Sequence, residues 1–348
     1  MIEKMKSCYI PEIHIGINLK NEIIKVFEEK PDIVANQDSI KIIRGFIEDS
    51  LIENQAIYLA KDFDSIRLKN FIHSKAKSIV AMGGGAAIDI VKYISFLTKK
   101  RLIVIPTILS TNAFATSKIC SKEIATKGSI EAKIPDKVII SLEIIKKADK
   151  RFNIAGAGDI LSIYTANYDW KLYDNEKPEE FDEDNYNETI ANVSLSLLNS
   201  LEKNARQIKE HTYEGLESLA QLLILSGYIT SMYGNGRPES GSEHLFANSI
   251  ELNFNNKFLH GELVALGTLI MSYLQNQDVS YIMDIINIIG LPRSLTEIGL
   301  TFEEIIDALI KAKDMKKNRY TILHKLNLSR SEFENIIKEL IKKNIIME

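Results

Sequence analysis

Cysteine is nearly absent from the 348-residue chain, which has only Cys8 and Cys120. Two thiols this far apart exclude a thiolate zinc cluster and a disulfide framework, and they suit a reducing compartment. No excess charge of one sign is present either. The 43 Lys and Arg residues stand against 47 Asp and Glu, for a formal net charge of -4, so nucleic acid is not an expected partner. No apolar run is long enough to span a bilayer, so no membrane is expected as a partner. The segment Met1 to Cys8 has no apolar core after its charges, and a cytoplasmic location is the expectation. Internal repeats and low-complexity segments are also lacking. What is there is an ordinary globular composition, 45% hydrophobic and 26% charged, in a chain long enough for two domains and a large core.

The two halves carry different hydrophobic rhythms. Up to about residue 150, short apolar runs alternate with amphipathic stretches. Strands are expected at 13–17, 32–35, 56–60, 78–82 and 102–105, and helices at 19–30, 39–52, 64–76 and 86–98. That alternation predicts βαβ units and a mainly parallel, doubly wound, Rossmann-like sheet. Residues 119–140 read as a hairpin turning at 127–129 and one more strand after Pro135. From 151 onward the spacing of apolar residues is helical, in segments 156–173, 188–203, 208–234, 240–251, 261–276, 278–289, 302–312 and 329–343. The acidic stretch from Asp174 to Glu188 reads as a solvated connection. The expected organisation is therefore an α/β domain over 1–150 and an all-α domain over 151–348. A cleft between the halves is the expected active site.

Three consecutive glycines, Gly83, Gly84 and Gly85, fall between the strand 78–82 and the helix 86–98. They remove side chains where a phosphate would approach backbone N–H groups, and the helix turns its positive end to the same place. The spacing is not G-x-G-x-x-G, and a plain tight βα turn reads equally well. Asp89 is a candidate to cap backbone donors near such a phosphate, or an ordinary acid of the first helical turn. Thr107, Ser110 and Thr116 follow the next strand and put hydroxyls at the carboxyl edge of the sheet, where open α/β folds bind ligands.

Two histidines occupy small-residue settings: His244 in Ser240-Gly-Ser-Glu-His-Leu-Phe246, and His260 in Leu259-His-Gly-Glu-Leu263. Asp159, in Gly156-Ala-Gly-Asp-Ile160, is the candidate acid. Taken singly, Asp159 reads as a helix N-cap, His244 as a packed core residue and Glu262 as an acid favoured at a helix start. Taken together, one carboxylate and two imidazoles match a catalytic divalent-metal site with an open position. Glu262 is then the candidate to hydrogen-bond a ligand histidine. His14, His73, His211 and His324 lack such company and read as surface or packing residues.

At these residues the chain resembles the iron-containing alcohol dehydrogenase and dehydroquinate synthase superfamily. Within it the resemblance is strongest to the sn-glycerol-1-phosphate dehydrogenase branch, with glycerol dehydrogenase next. The segments that carry it are Gly83-Gly-Gly-x-x-x-Asp89, Pro106-Thr-x-x-Ser110, Gly158-Asp-Ile160 with Tyr168-Asp-Trp-Lys-Leu172, Gly236-Arg-Pro-Glu-Ser-Gly-Ser-Glu-His244 and Leu259-His-Gly-Glu262. The resemblance implies an N-terminal domain binding NAD(P)H, a helical domain carrying the metal, and a homo-oligomer. It implies Asp159, His244 and His260 as metal ligands, and Gly84, Gly85, Thr107, Ser110 and Thr116 around the dinucleotide. Two positions depart from that branch. Asn112 stands where it carries a substrate-contacting Asp, and Asn248 where it carries a second His one helical turn after the first ligand. The first change turns an acceptor-only group into one that also donates, and the second removes a proton shuttle.

The expectation is a metal-dependent NAD(P)H oxidoreductase that interconverts a small phosphorylated ketone and its alcohol, dihydroxyacetone phosphate and sn-glycerol 1-phosphate foremost. Zn²⁺, or another divalent ion such as Ni²⁺ or Fe²⁺, would polarise the carbonyl. Substrate contacts are expected from Asn112, Asp159, Asn248 and Arg237. Arg237, Lys118 and Lys122 are candidates to hold the phosphate, and each reads equally as an exposed loop cation. Asn36, at the strand end that would meet the ribose, is neutral and does not separate NADH from NADPH. Three other readings stay open: an enzyme acting on an unphosphorylated polyol, a dehydroquinate-synthase-like cyclase, and a non-catalytic nucleotide- or metal-binding relative. The chain lacks the lysine-rich loop of the cyclase branch; Asn112 and Asn248 are the support for the non-catalytic relative.

Overall fold

A computed structural model describes residues 9–53, 55–120, 130–183, 185–254 and 258–348. Lys122 and the hairpin turn expected at 127–129 lie outside the described residues. The chain forms two compact units, one of residues up to Asn153 together with His211–Met232, the other of Ile154–Glu210 and Tyr233–Glu348. The chain passes from the first to the second three residues after the expected boundary. The segment 211–232, placed by its helical rhythm with the second half, belongs to the first unit. Among the described residues no helix is long and apolar enough to cross a membrane.

The strands of the first unit are β1 (Glu12–Gly16), β2 (Asp32–Ala35), β3 (Ile57–Leu59), β4 (Ser78–Gly83) and β5 (Arg101–Pro106), then the two-stranded antiparallel ribbon β6 (Lys118–Ile119) and β7 (Ile130–Glu131), then β8 (Lys137–Ser141). Six of them form one parallel sheet in the order β1-β8-β5-β4-β2-β3. The inner strands β2, β4 and β8 are buried at every residue, as expected where helices cover both faces. Register puts Ile33 beside Val80 and Val80 beside Ile103. That row packs with Ile23, Phe27 and Ile43 from the flanking helices Lys20–Glu28 and Gln37–Arg44. After β2 the chain goes to one side for β3 and returns to the other side for β4. The carboxyl ends of β2 and β4 therefore flank the place where the winding reverses, which is where open α/β sheets bind ligands.

The single helix expected over 39–52 is two helices, Gln37–Arg44 and Asp49–Glu53. The chain leaves the first helix at Gly45, and the intervening Ile47 enters the core instead of continuing the helical face. The helix expected over 156–173 begins earlier, at Lys150, and is interrupted at Ser162. Ser162 Oγ donates to the Asp159 carbonyl at 2.7 Å and the Glu239 carbonyl at 2.6 Å, a side chain engaging carbonyls of the helix and its neighbour. In the second unit the helix His260–Leu274 is central, buried at nearly every position. It shares a core with Phe246 and Ile250 of Ser242–Asn253, Ile305 and Leu309 of Phe302–Ala312, and Ile337 of Arg330–Lys342.

A buried ion pair ties strand starts together in the first unit. Lys100 reaches Asp32, both side chains are under one tenth exposed, and Ser74 Oγ donates to the same carboxylate at 2.8 Å. Removing one partner leaves the other charge desolvated. Asp32→Asn is expected to lower stability by about 3 kcal/mol, measured by urea unfolding, and a loss under about 1 kcal/mol would mean that the pair is effectively solvated.

Candidate functional site

The second unit brings three helices to backbone contact through glycine. A side-chain carbon on Gly158 would sit 2.0 Å from the Gly261 carbonyl oxygen, and one on Gly261 would sit 1.7 Å from the Ala155 carbonyl oxygen. Gly267 makes the same helix close on the Glu243 carbonyl oxygen, 2.9 Å from where its Cβ would be. Residues next to these crossings are therefore held close together. Asp159 lies near the carboxyl end of Lys150–Leu161, His244 is in the first turn of Ser242–Asn253, and His260 opens His260–Leu274. Asp159 is thus not an N-cap, because its helix starts nine residues earlier.

One ligand atom from each of Asp159, His244 and His260 lies within 4.8 Å of the others. Asp159 Oδ1 is 3.8 Å from His260 Nε2, and the two imidazole centroids are 5.4 Å apart. Asp159 is buried, and both rings are partly exposed. Each imidazole has its Nδ1 against a carboxylate oxygen, Glu243 at 3.0 Å for His244 and Glu251 at 3.1 Å for His260. Burial alone would push the His260 imidazole down, but the charge and hydrogen bond of Glu251 and the charge of Asp159 outweigh it and hold it up at about 9. One carboxylate and two imidazoles fit a divalent cation of the zinc type. The other His–carboxylate group among the described residues is Glu12, His14 and Glu22. There the Lys137 ammonium already sits 2.7 Å from Glu12 and 3.6 Å from Glu22, so its charge is met without a cation.

A buried polar network fixes the loop that leads into His244. Glu243 is fully buried and accepts from Gly241 N at 2.6 Å and Thr165 Oγ1 at 2.7 Å. Asp169 accepts from Ser242 N at 2.7 Å, Ile322 N at 2.8 Å and Gln275 Nε2 at 3.1 Å. Burial, with the charge of Glu243, raises its carboxyl to about 6. Arg319 donates to the Ser240 carbonyl at 2.6 Å, and burial beside Arg237 lowers its guanidinium to about 10. Arg237 is fully buried, paired with Glu183, and donates to the Tyr320 carbonyl at 2.9 Å. Its Nε and Nη2 are engaged inside the fold, while the buried Nη1 has no hydrogen-bond partner. Within the acidic stretch 174–188, whose described residues are otherwise exposed or half-buried, the Glu183 side chain is an anchored ion-pair partner.

In the first unit, Gly83, Gly84 and Gly85 form the turn from β4 into the helix Gly85–Thr98, with Gly84 as its N-cap residue. Gly83 has a φ of 151°, and a Cβ there would meet the Asn36 amide nitrogen at 3.2 Å. A Cβ on Gly84 would lie 2.7 Å from Ile108 and 3.8 Å from Ser110 Oγ. Thr107 Oγ1 pairs with Ser39 Oγ at 3.0 Å beside the same turn. The glycines, Asn36, Thr107 and Ser110 are thus brought together at the reversal of winding. Asp89 and Thr116 are engaged elsewhere. Asp89 accepts from Cys120 N at 2.8 Å, and the buried Lys92 donates to Thr116 Oγ1 at 3.2 Å and to the Lys118 carbonyl at 2.8 Å. Burial lowers the Lys92 ammonium. Asn112 Nδ2 donates to Ser226 Oγ at 3.4 Å, and Asn248 is exposed one turn after His244. Lys118 is partly buried in β6.

Residues 28–149 match the iron-containing alcohol dehydrogenase family. The chain is 34% identical to glycerol-1-phosphate dehydrogenase (NAD(P)+) of Pyrococcus horikoshii, over 94% of this chain and 96% of that protein. With the enzyme of the same name from Pyrococcus abyssi the identity is 37%, over the same shares. The chain belongs to the glycerol-1-phosphate dehydrogenase family. Its fold is also that of the glycerol dehydrogenase of Schizosaccharomyces pombe, with a TM-score of 0.74 at 19% identity over 97% of this chain and 90% of that one. In this family member the carboxylates against the imidazoles are Glu243 and Glu251, which the sequence reading did not single out. Spacing was the available signal: Glu251 follows His244 by seven residues, two helical turns on the same face.

Two outcomes follow from this geometry. Gly261→Ala forces the crossing apart and is expected to cost about 1–3 kcal/mol or more, read by thermal or urea unfolding; an unchanged stability would mean that the helices do not touch. For Asp169, the folded value lies above the ordinary one, so the folded chain binds a proton between about pH 4 and about pH 6 that the unfolded chain has released. The stability that Asp169 contributes is therefore full below that window and falls as pH rises through it. Unfolding free energies of the wild type minus those of Asp169→Asn should decline across the window; a difference that is flat or rising contradicts the assignment.

Proposed function

We propose that this chain is a metal-dependent NAD(P)H oxidoreductase that reduces dihydroxyacetone phosphate to sn-glycerol 1-phosphate. The convergence of Asp159, His244 and His260 within 4.8 Å, in a member of this family, is the observation that carries the reading. A divalent ion such as Zn²⁺, Ni²⁺ or Fe²⁺ held by these three would supply Lewis-acid polarisation of a carbonyl oxygen. A reduced nicotinamide would supply the hydride. Asp159 brings one negative charge to the cation, and the two neutral imidazoles leave net positive charge for a developing alkoxide. The backbone N–H groups at Gly84 and Gly85, with the start of the helix Gly85–Thr98, suit the pyrophosphate of the dinucleotide. The hydroxyls of Thr107 and Ser110 stand at the same turn. Asn112 offers an amide that both donates and accepts to a substrate hydroxyl. A homo-oligomeric assembly is part of this reading.

Reduction of unphosphorylated dihydroxyacetone is the second reading, favoured by the burial of Arg237, which takes one cation away from any substrate phosphate. The test is a carbonyl panel with protein loaded with Zn²⁺ or Ni²⁺, followed by nicotinamide absorbance with NADH and with NADPH. Dihydroxyacetone phosphate is expected to be the best substrate, and dihydroxyacetone to take its place under the second reading. Absence of oxidation with every short carbonyl rejects both. His260→Ala is expected to lose bound metal and to drop turnover by about 10²–10³-fold or more; retained metal rejects the ligand assignment.

A further inference from the structure

We infer that Glu251 and Glu243 are positioning residues that lock His260 and His244 with Nε2 turned to the shared cation point. The inference rests on the metal reading above and assigns residues that lie outside the three ligands. An ionised carboxylate can only accept a hydrogen bond. The contacts at 3.1 Å to His260 Nδ1 and 3.0 Å to His244 Nδ1 therefore place a proton on each Nδ1. An entering cation then displaces a proton only from Nε2, which leaves the lone pair there, and the negative partner makes that nitrogen a stronger donor. Geometry agrees for His260: its Nε2, not its Nδ1, is the atom 3.8 Å from Asp159 Oδ1, a separation beyond hydrogen-bond reach.

The two clamps are built differently. Glu243 is fully buried and also holds Gly241 N and Thr165 Oγ1, so it cannot swing away from His244. Glu251 is about one quarter exposed and reaches His260 from the helix Ser242–Asn253. One helix thus supplies a ligand, His244, and the clamp for a ligand on another helix. Without the Glu251 clamp, His260 would be free to present either ring nitrogen, and part of the binding free energy would go into orienting it.

Zinc affinity, measured at fixed pH by competition with a chromogenic chelator, tests the inference without any turnover. Glu251→Gln and Glu251→Ala are expected to bind Zn²⁺ about 10-fold and up to about 100-fold more weakly than the wild type. Their apo far-UV circular dichroism should match the wild type, showing that the fold is kept. Ring ¹⁵N NMR of the zinc-loaded wild type should report coordination through Nε2 at both histidines. Glu243→Gln should weaken binding similarly if it folds, and the Glu251 pair decides the matter if it does not. Unchanged affinity in both Glu251 variants, or Nδ1 coordination in the wild type, overturns the inference and leaves the metal reading standing. A wild-type chain that binds no Zn²⁺ overturns the metal reading and this inference together.

Discussion

Direct backbone contact between helices is the constraint on which the candidate metal centre depends. Helices usually pack 8–10 Å apart, separated by side chains. At Gly158 and Gly261 no side chain intervenes, and a Cβ at either would collide with a carbonyl oxygen of the other helix. Gly267 brings the helix Ser242–Asn253 onto the middle of the same central helix. Asp159 and His260 are the immediate neighbours of the first pair, so the crossing itself converts a sequence separation of about one hundred residues into a few ångströms. Rotamers then need only point the donor atoms inward.

The buried charges complete what the crossings begin. Asp169, Glu183, Glu243, Arg237 and Arg319 are carboxylates and guanidiniums removed from water, an arrangement that seldom adds much net stability. Its consequence here is local order. Arg319 holds the Ser240 carbonyl, Glu243 holds Gly241 N and Asp169 holds Ser242 N. Three successive residues before His244 are thereby fixed by three different side chains. A histidine at the start of a helix would otherwise inherit the mobility of the loop before it.

Much of the α/β half was legible in the sequence, because buried parallel strands are short continuous apolar runs with helices between them. β2, β4 and β5 fall where those runs are. The break at Gly45 was not legible, since Ile47 satisfies the helical rhythm and the core equally. The three candidate ligands could be assembled from residue type and setting, and the family resemblance implied them; the structure brings them within 4.8 Å of one another. Arg237 reads from the sequence as an anion grip because it is a loop arginine beside glycines; its ion-pair partner Glu183 lies 54 residues away, too far along the chain for spacing to reveal. Glu243 and Glu251 were missed because carboxylates near helix ends are common, and only coordinates say which nitrogen they face. The segment 211–232 clusters with the first unit, and helical periodicity says nothing about which unit a helix joins.

X-ray absorption at the zinc edge of the metal-loaded protein tests the central claim most directly. The account predicts one zinc per chain with a first coordination sphere of nitrogen and oxygen donors at about 2.0–2.1 Å, and with the outer scattering of two imidazoles. Loss of one imidazole from that pattern in His260→Ala completes the prediction. A sulfur-containing sphere, fewer than two imidazoles, or zinc bound identically after that substitution would contradict the account.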